Sequence, residues 1–361
     1  MSMPEVAAVT LVGKKHLGRG VPCEDYSLAT KKNGVSVVVV ADGAGSKQYT
    51  HARFGSKAAC EVISDLFIDH FDAIYSENRE AAVRSLIITA VHIKFADLLK
   101  EHQLDSLERL SCTLLFCAVK DRRMIIGHIG DGLIARVTPS GLSPITMPQN
   151  GANNASSTYF VTVPHAADYL RIIKTTTDDC HAVALMTDGV QDNVYDETSG
   201  LVKPVVVRMC NTLFDGREAC EKQIKEILEK YIVGSSNNSD DASFGIIYFN
   251  GTDTPDTDSL PKQAVPFPRN EETFKDLQTL MLADAKKAKS IIVDAKANAP
   301  LDGDKSGVVK SGENESAAEH TSEKMEDINV AAKKTGKIVL ALAIVEFLAI
   351  LALLVKIFWL K

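Results

Sequence analysis

The sequence has no CxxC pair and no even set of cysteines. Its seven, Cys23, Cys60, Cys112, Cys117, Cys180, Cys210 and Cys220, are scattered, which argues against a zinc site or a disulfide frame and predicts reduced thiols in a cytosolic compartment. Basic residues are not in excess. The formal net charge is −7, so no nucleic-acid partner is expected, since such a surface needs a basic patch. Met1–Thr10 lacks a basic segment followed by a long apolar run, and no secretory signal is expected. No internal repeat is visible. What is left is ordinary globular composition, 361 residues of which 45% are hydrophobic and 24% charged, enough for one large domain with appendages or for two domains.

Long apolar runs are also missing until the end of the chain. Residues 338–360 are then apolar except for Glu346 and Lys356, about the 20 residues that cross a bilayer. Lys333, Lys334 and Lys337 precede this stretch and only Lys361 follows, which predicts a single-pass C-terminal anchor with the large N-terminal part cytoplasmic. Glu346 in mid-span is costly unless protonated or turned to a partner helix.

Residues 5–250 read as one α/β block. Strands are predicted at 7–12, 36–41, 113–119, 124–129, 133–137, 182–187 and 244–249, short Val- and Ile-rich runs bounded by Gly, Asp or Asn-Gly turns. Helical spacing of apolar residues covers 50–71, 78–99 and 217–231. Meanders with short turns, such as 113–137, predict antiparallel pairing. Beyond the block, 251–270 reads as a linker and 271–299 as an amphipathic helix. That helix presents Phe274, Leu277, Met281, Ala285, Ala288 and Ile292 on one face, suited to self-association or to packing on the domain. Residues 300–337 read as a disordered polar tether.

The chemistry sits where the apolar strands run out. Asp42-Gly43 follows Val37–Ala41, Gly130-Asp131 follows Met124–Ile129, Asp188-Gly189 follows Ala182–Thr187, and Asp240-Asp241 stands just before Ser243–Phe249. One Asp-Gly after a strand is more often a turn than a ligand. Four such strand ends, with Glu24-Asp25 upstream, supply the oxygen donors that hard divalent cations require, and glycine lets a backbone carbonyl approach closely.

The stretches VVVVADGAGS, IGHIGDG and ALMTDGVQD, in the order Glu24-Asp25, Asp42-Gly43-Ala44-Gly45, Ser111-Cys112-Thr113, Gly130-Asp131, Asp188-Gly189 and Asp240-Asp241, resemble the metal-dependent protein phosphatase 2C family, in its bacterial-type branch. The resemblance implies an α+β fold, a four-layer α-β-β-α sandwich of two antiparallel sheets flanked by helices. It implies two Mn²⁺ or Mg²⁺ ions and a third, weaker one. Asp42 would bridge two metals, and the Gly43 carbonyl would bind one of them. Asp188 and Asp240 would complete the other shell, Asp131 would hold the third ion, and Glu24 and Asp25 would contact metals or their waters. Asp241 stands where the family usually has asparagine, which makes Asp240 the expected ligand.

The implied activity is hydrolysis of phosphoserine and phosphothreonine esters by activated water. The implied partners are a phosphoprotein substrate, a Ser/Thr kinase acting in the opposite sense, and a membrane. Self-association is expected through 271–299 or through the membrane helix. Many relatives carry a phosphate-binding arginine four residues before the glutamate of the acidic pair; that position is Gly20 here. Arg19 and His16, with Lys15 beside them, are the expected substitutes. A surface loop histidine is the alternative reading of His16, and His128 is read as a packed strand residue. Two classes stand open: an active membrane-tethered phosphatase, favoured by the near-complete acidic set, and a catalytically weak or inactive phosphatase-like scaffold.

Overall fold

The computed structural model describes residues 3–149, 158–197, 199–212, 216–237 and 239–249. The chain divides into two units, Met1–Phe267 with Leu353–Lys361, and Pro268–Ala352; every described residue lies in the first. The strands are β1 (Glu5–Leu11), β2 (Tyr26–Lys32), β3 (Val35–Ala41), β4 (Leu114–Lys120), β5 (Arg123–Ile129), β6 (Leu133–Thr138), β7 (Gly141–Thr146), β8 (Arg171–Thr176), β9 (Ala182–Met186), β10 (Tyr195–Asp196), β11 (Leu201–Val202) and β12 (Ala242–Tyr248). The helices are α1 (Lys14–Arg19), α2 (Ala52–Ser76), α3 (Glu80–Glu101), α4 (Ala166–Tyr169), α5 (Asp188–Val194), α6 (Val205–Asn211) and α7 (Arg217–Ile227).

Two five-stranded sheets form, one ordered β2-β3-β4-β5-β8 and the other β1-β12-β9-β6-β7. Their pairings are all antiparallel. β3 shows why its valine run works. Val35, Val37 and Val39 point to one side and pack with Ile63, Phe67 and Val91 of α2 and α3. Val38 and Val40 point to the other and pack with Leu115 of β4 and with Val183, Leu185 and Ile247 of the facing sheet. A strand covered on both faces gains from apolar side chains at every position, roughly 1.5–3 kcal/mol for each fully buried one. Val206, Val207 and Ile224 of α6 and α7 cover the outer face of the second sheet, against Ala184 and Phe244. The two antiparallel sheets flanked by helices are thus present as expected.

The strands that sequence patterning missed include β2, β7 and β8, all at sheet edges. β2 and β8 are largely half-exposed and carry Lys and Thr among their apolar residues, so neither makes a continuous apolar run. α2 and α3 run past the predicted 71 and 99 to Ser76 and Glu101. α7 passes into a π-helical turn, Leu228–Ile232, which runs one residue past the predicted 231. All seven cysteines are free thiols; Cys23 is partly exposed and the other six are buried. The predicted linker 251–270, amphipathic helix 271–299, tether 300–337 and membrane helix 338–360 lie outside the described residues. Among the described residues no helix is long and apolar enough to cross a membrane.

Candidate metal centre

Strand direction gathers the acidic residues at one end of the sandwich. β2 pairs with β3 so that Tyr26 faces Ala41, which puts Asp25 beside Asp42. β12 pairs with β9 so that Phe244 faces Met186, which puts Asp240 and Asp241 near Asp188. β1 pairs with β12 so that Leu11 faces Ala242, which brings α1 to the same end. The turns are held by specific bonds. Asp42 donates its backbone N–H to Thr113 Oγ1 (2.9 Å), and Thr113 N–H returns to the Asp42 carbonyl (2.8 Å). At Gly43 a Cβ would collide with the Glu24 carbonyl, and at Gly189 with the Asp241 carbonyl. Only glycine permits these approaches.

Asp42, Asp131 and Asp188 each offer a carboxylate oxygen, and the three lie within 4.8 Å of one another. Asp25 stands beside them, 5% exposed, with Oδ2 accepting from Thr187 Oγ1 at 2.8 Å. Its Oδ1, like Asp131 Oδ1, is buried without a hydrogen-bond partner. Among the described residues no lysine or arginine pairs with any of these four. Burial, followed by the neighbouring charge of Asp188, Asp25 and Asp131, holds the Asp42 carboxyl well above its usual range. Burial with the charges of Asp131, Asp25 and Asp240 does the same to Asp188. Burial also lifts Asp131, and it pushes Asp25 up to about 7 despite the Thr187 bond.

Asp240 falls in a second group, with His16 and Asp241. Asp241 is 2% exposed and fully engaged. Its Oδ1 accepts from Gly13 N–H (2.7 Å), and its Oδ2 accepts from Glu24 N–H (2.7 Å) and stands 2.8 Å from His16 Nδ1. Asp240 Oδ2 accepts from Lys15 Nζ at 2.7 Å. His16 is buried rather than a surface loop residue, and Nε2 stands 3.6 Å from Glu24 Oε2. Arg19 is exposed at the end of α1, away from these contacts. A cleft of about 240 Å³, lined by Lys15, Asp188, Asp192, Ser239 and Asp240 among others, opens beside both groups.

Sequence reasoning missed Asp192. It lies one helical turn after Asp188 on α5, a spacing that places both on one face. It lines the cleft, and burial together with nearby acidic charge raises its carboxyl. His128 is the packed residue expected. Because Arg171 can only donate, its bond to His128 Nδ1 (2.8 Å) makes Nδ1 the acceptor. Nε2–H is then the donor to the Gly130 carbonyl (3.0 Å), steadying the peptide before Asp131.

Crowded carboxylates with orphaned buried oxygens and no organic cation form a donor set that fits hard divalent metals. Among proteins of curated function none matches the chain. A solved structure reaches the similarity that shows a shared fold, and others align more loosely. A bacterial serine phosphatase carrying an arginine-to-lysine substitution aligns with TM-score 0.50 at 14% identity, over 70% of this chain and 100% of that one. The Mycobacterium tuberculosis serine/threonine phosphatase PstP/Ppp gives TM-score 0.49 at 15% identity, over 69% and 99%. The Staphylococcus aureus serine/threonine phosphatase Stp1 gives 0.47 at 15%, over 69% and 96%. The family model described as protein phosphatase 2C matches residues 12–229, and the chain belongs to that family.

Proposed function

We propose that the protein is a metal-dependent serine/threonine phosphoprotein phosphatase that uses Mn²⁺ or Mg²⁺. The observation that carries this is the group Asp25, Asp42, Asp131 and Asp188, which no lysine or arginine pairs with among the described residues and whose Asp25 and Asp131 Oδ1 atoms lack a hydrogen-bond partner. In this reading Asp42, the Gly43 carbonyl, Asp188 and Asp240 hold two cations, Asp131 holds a third, and Glu24 and Asp25 contact the ions or their waters. Bound there, the cations would activate water and neutralise phosphate oxygens.

The chain's own residues do the rest. Thr113 and Thr187 fix Asp42 and Asp25, so the acids meet the ions without reorganising. Water displaces the serine or threonine oxygen from phosphorus in line, and no side chain becomes phosphorylated. Of the expected phosphate contacts Arg19 and His16, His16 lies between carboxylates that repel a phosphate dianion. Lys15 stands at the cleft wall, and Arg19, exposed at the end of α1, is the other basic side chain offered for the phosphate contact. The run 338–360 and its lysine bias support a membrane tether with the catalytic domain on the cytoplasmic side, where a Ser/Thr kinase would act in the opposite sense.

The test is hydrolysis of a phosphoserine peptide by the full chain. Turnover with Mn²⁺ that disappears in EDTA is expected; turnover unchanged by EDTA would sink the reading.

A further inference from the structure

The nitrogen of His16 has no role in an all-oxygen centre, yet the fold delivers it there. The His16 side chain is 6% exposed. Nδ1 is taken by Asp241 Oδ2 at 2.8 Å. Asp241 already accepts two backbone N–H groups, so it acts as an acceptor here and Nδ1 is the donor. In the neutral ring the lone pair is then at Nε2. That atom stands 3.6 Å from Glu24 Oε2 and 3.8 Å from Asp240 Oδ1, and makes no hydrogen bond to any described residue.

We propose that His16 Nε2, Glu24 Oε2 and Asp240 Oδ1 form a mixed nitrogen–oxygen site for a borderline divalent metal such as Zn²⁺, with Mn²⁺ as a weaker occupant. Three observations converge on it. First, an imidazolium flanked by two carboxylates would close to hydrogen-bond distance, roughly 2.7–2.9 Å, whereas both gaps are wider. Two ligand atoms each about 2.1 Å from one cation stand about 3.4–3.6 Å apart at tetrahedral to trigonal angles, which is near the spacing found. Second, a carboxylate on the far ring nitrogen is the arrangement that fixes the tautomer and orientation of a metal-ligating histidine, and Asp241 supplies it from a rigid position. Third, Lys15 takes only Oδ2 of Asp240. Oδ1 receives only the Asp241 N–H, at 3.1 Å, and keeps a lone pair for a cation.

The inference rests on the reading that Glu24 and Asp240 serve a cation, and adds the donor that decides which one. Imidazole favours Zn²⁺ over Mn²⁺, which accepts it beside carboxylates, and Mg²⁺ prefers oxygen alone. The all-oxygen Asp42, Asp131 and Asp188 group suits Mg²⁺ or Mn²⁺.

The experiment uses the full chain stripped of metal and loaded with Mn²⁺ alone, read by pulsed electron paramagnetic resonance. Coupling of bound Mn²⁺ to an imidazole ¹⁴N is expected in the unmodified protein, and its loss in His16→Gln. Zn²⁺ affinity, from competition with a chromophoric chelator, should fall at least about tenfold in His16→Gln, while Mg²⁺ affinity changes by less than about threefold. Bound Mn²⁺ without ¹⁴N coupling would overturn the site, and so would equal losses of Zn²⁺ and Mg²⁺ affinity. A protein that binds no Mn²⁺ at all would overturn the phosphatase reading along with it, so the two failures are told apart.

Discussion

The two acidic groups at the end of the sandwich are built from the same residue type and treated in opposite ways. Asp241 accepts two backbone N–H bonds and one from His16, and Asp240 takes Lys15. Asp241 is satisfied within the protein and is architecture as much as chemistry, while Asp240 keeps Oδ1 open beside its bond to Lys15. Asp42, Asp131 and Asp188 pair with no lysine or arginine among the described residues, and burial with mutual repulsion lifts their carboxyls above the usual range. Like charges gathered at a buried edge are destabilising by themselves. A fold that nonetheless holds them there has left room for cations. On the proposed reading, this difference, more than the count of acids, marks where the cations would sit.

The comparison breaks most visibly on activity. Asp42→Asn should lower kcat/KM at least about 100-fold, as loss of a metal-holding residue does, and phosphopeptide turnover measures it. The same substitution should raise the melting temperature of the metal-free protein, because it removes a repelling charge. Asp241→Asn should do the reverse and lower stability by about 1–3 kcal/mol, since one of the buried N–H donors now facing it loses its acceptor. Chemical denaturation in EDTA decides the sign; if both substitutions shift stability in the same direction, the two groups are not different in kind.

A smaller effect follows from pH. A carboxyl whose folded pKa is raised binds its proton more tightly in the folded state, so its contribution favours folding at low pH and is lost as pH rises through the folded value. For Asp25 the window runs from the ordinary 3.8 up to about 7, and Asp42 and Asp188 are shifted in the same direction by burial and neighbouring carboxylates. The metal-free protein should therefore melt lower at pH 8 than at pH 5, and Mn²⁺ should shrink the gap. A metal-free melting temperature that rises over that range would refute the reading of the group. The smallest effect belongs to Arg19. Its exposed position limits an ionic contact to about 0.2–1 kcal/mol, so Arg19→Ala should raise KM by up to about fivefold, seen in initial-rate kinetics.

Legibility in the sequence tracked the physics of each feature. Asp42, Asp131 and Asp188 could be read because each stands just past the end of a largely apolar strand, and the antiparallel pairing then puts those ends together. The core strands β3, β4 and β12 could be read because both faces are covered and most of their residues are apolar. β2 and β8 could not, because an edge strand with half-exposed residues has no such run. Asp192 was legible in principle, four residues after Asp188, but a lone acid on a helix has no signature without the cleft beside it. The bond from His16 to Asp241 joins residues 225 positions apart. It depends on the β1–β12 register, which no local pattern carries. Residues 251–361 were read from composition alone.

The most direct measurement is equilibrium binding of Mn²⁺ near neutral pH, followed by the resonance of the free ion, for the unmodified chain and for Asp42→Asn. The unmodified chain should bind about two ions tightly, as a two-metal hydrolytic centre requires, and Asp42→Asn should lose at least one of them. Equal binding by the two proteins, or none by either, would contradict the claim that the unbalanced carboxylates are held for cations.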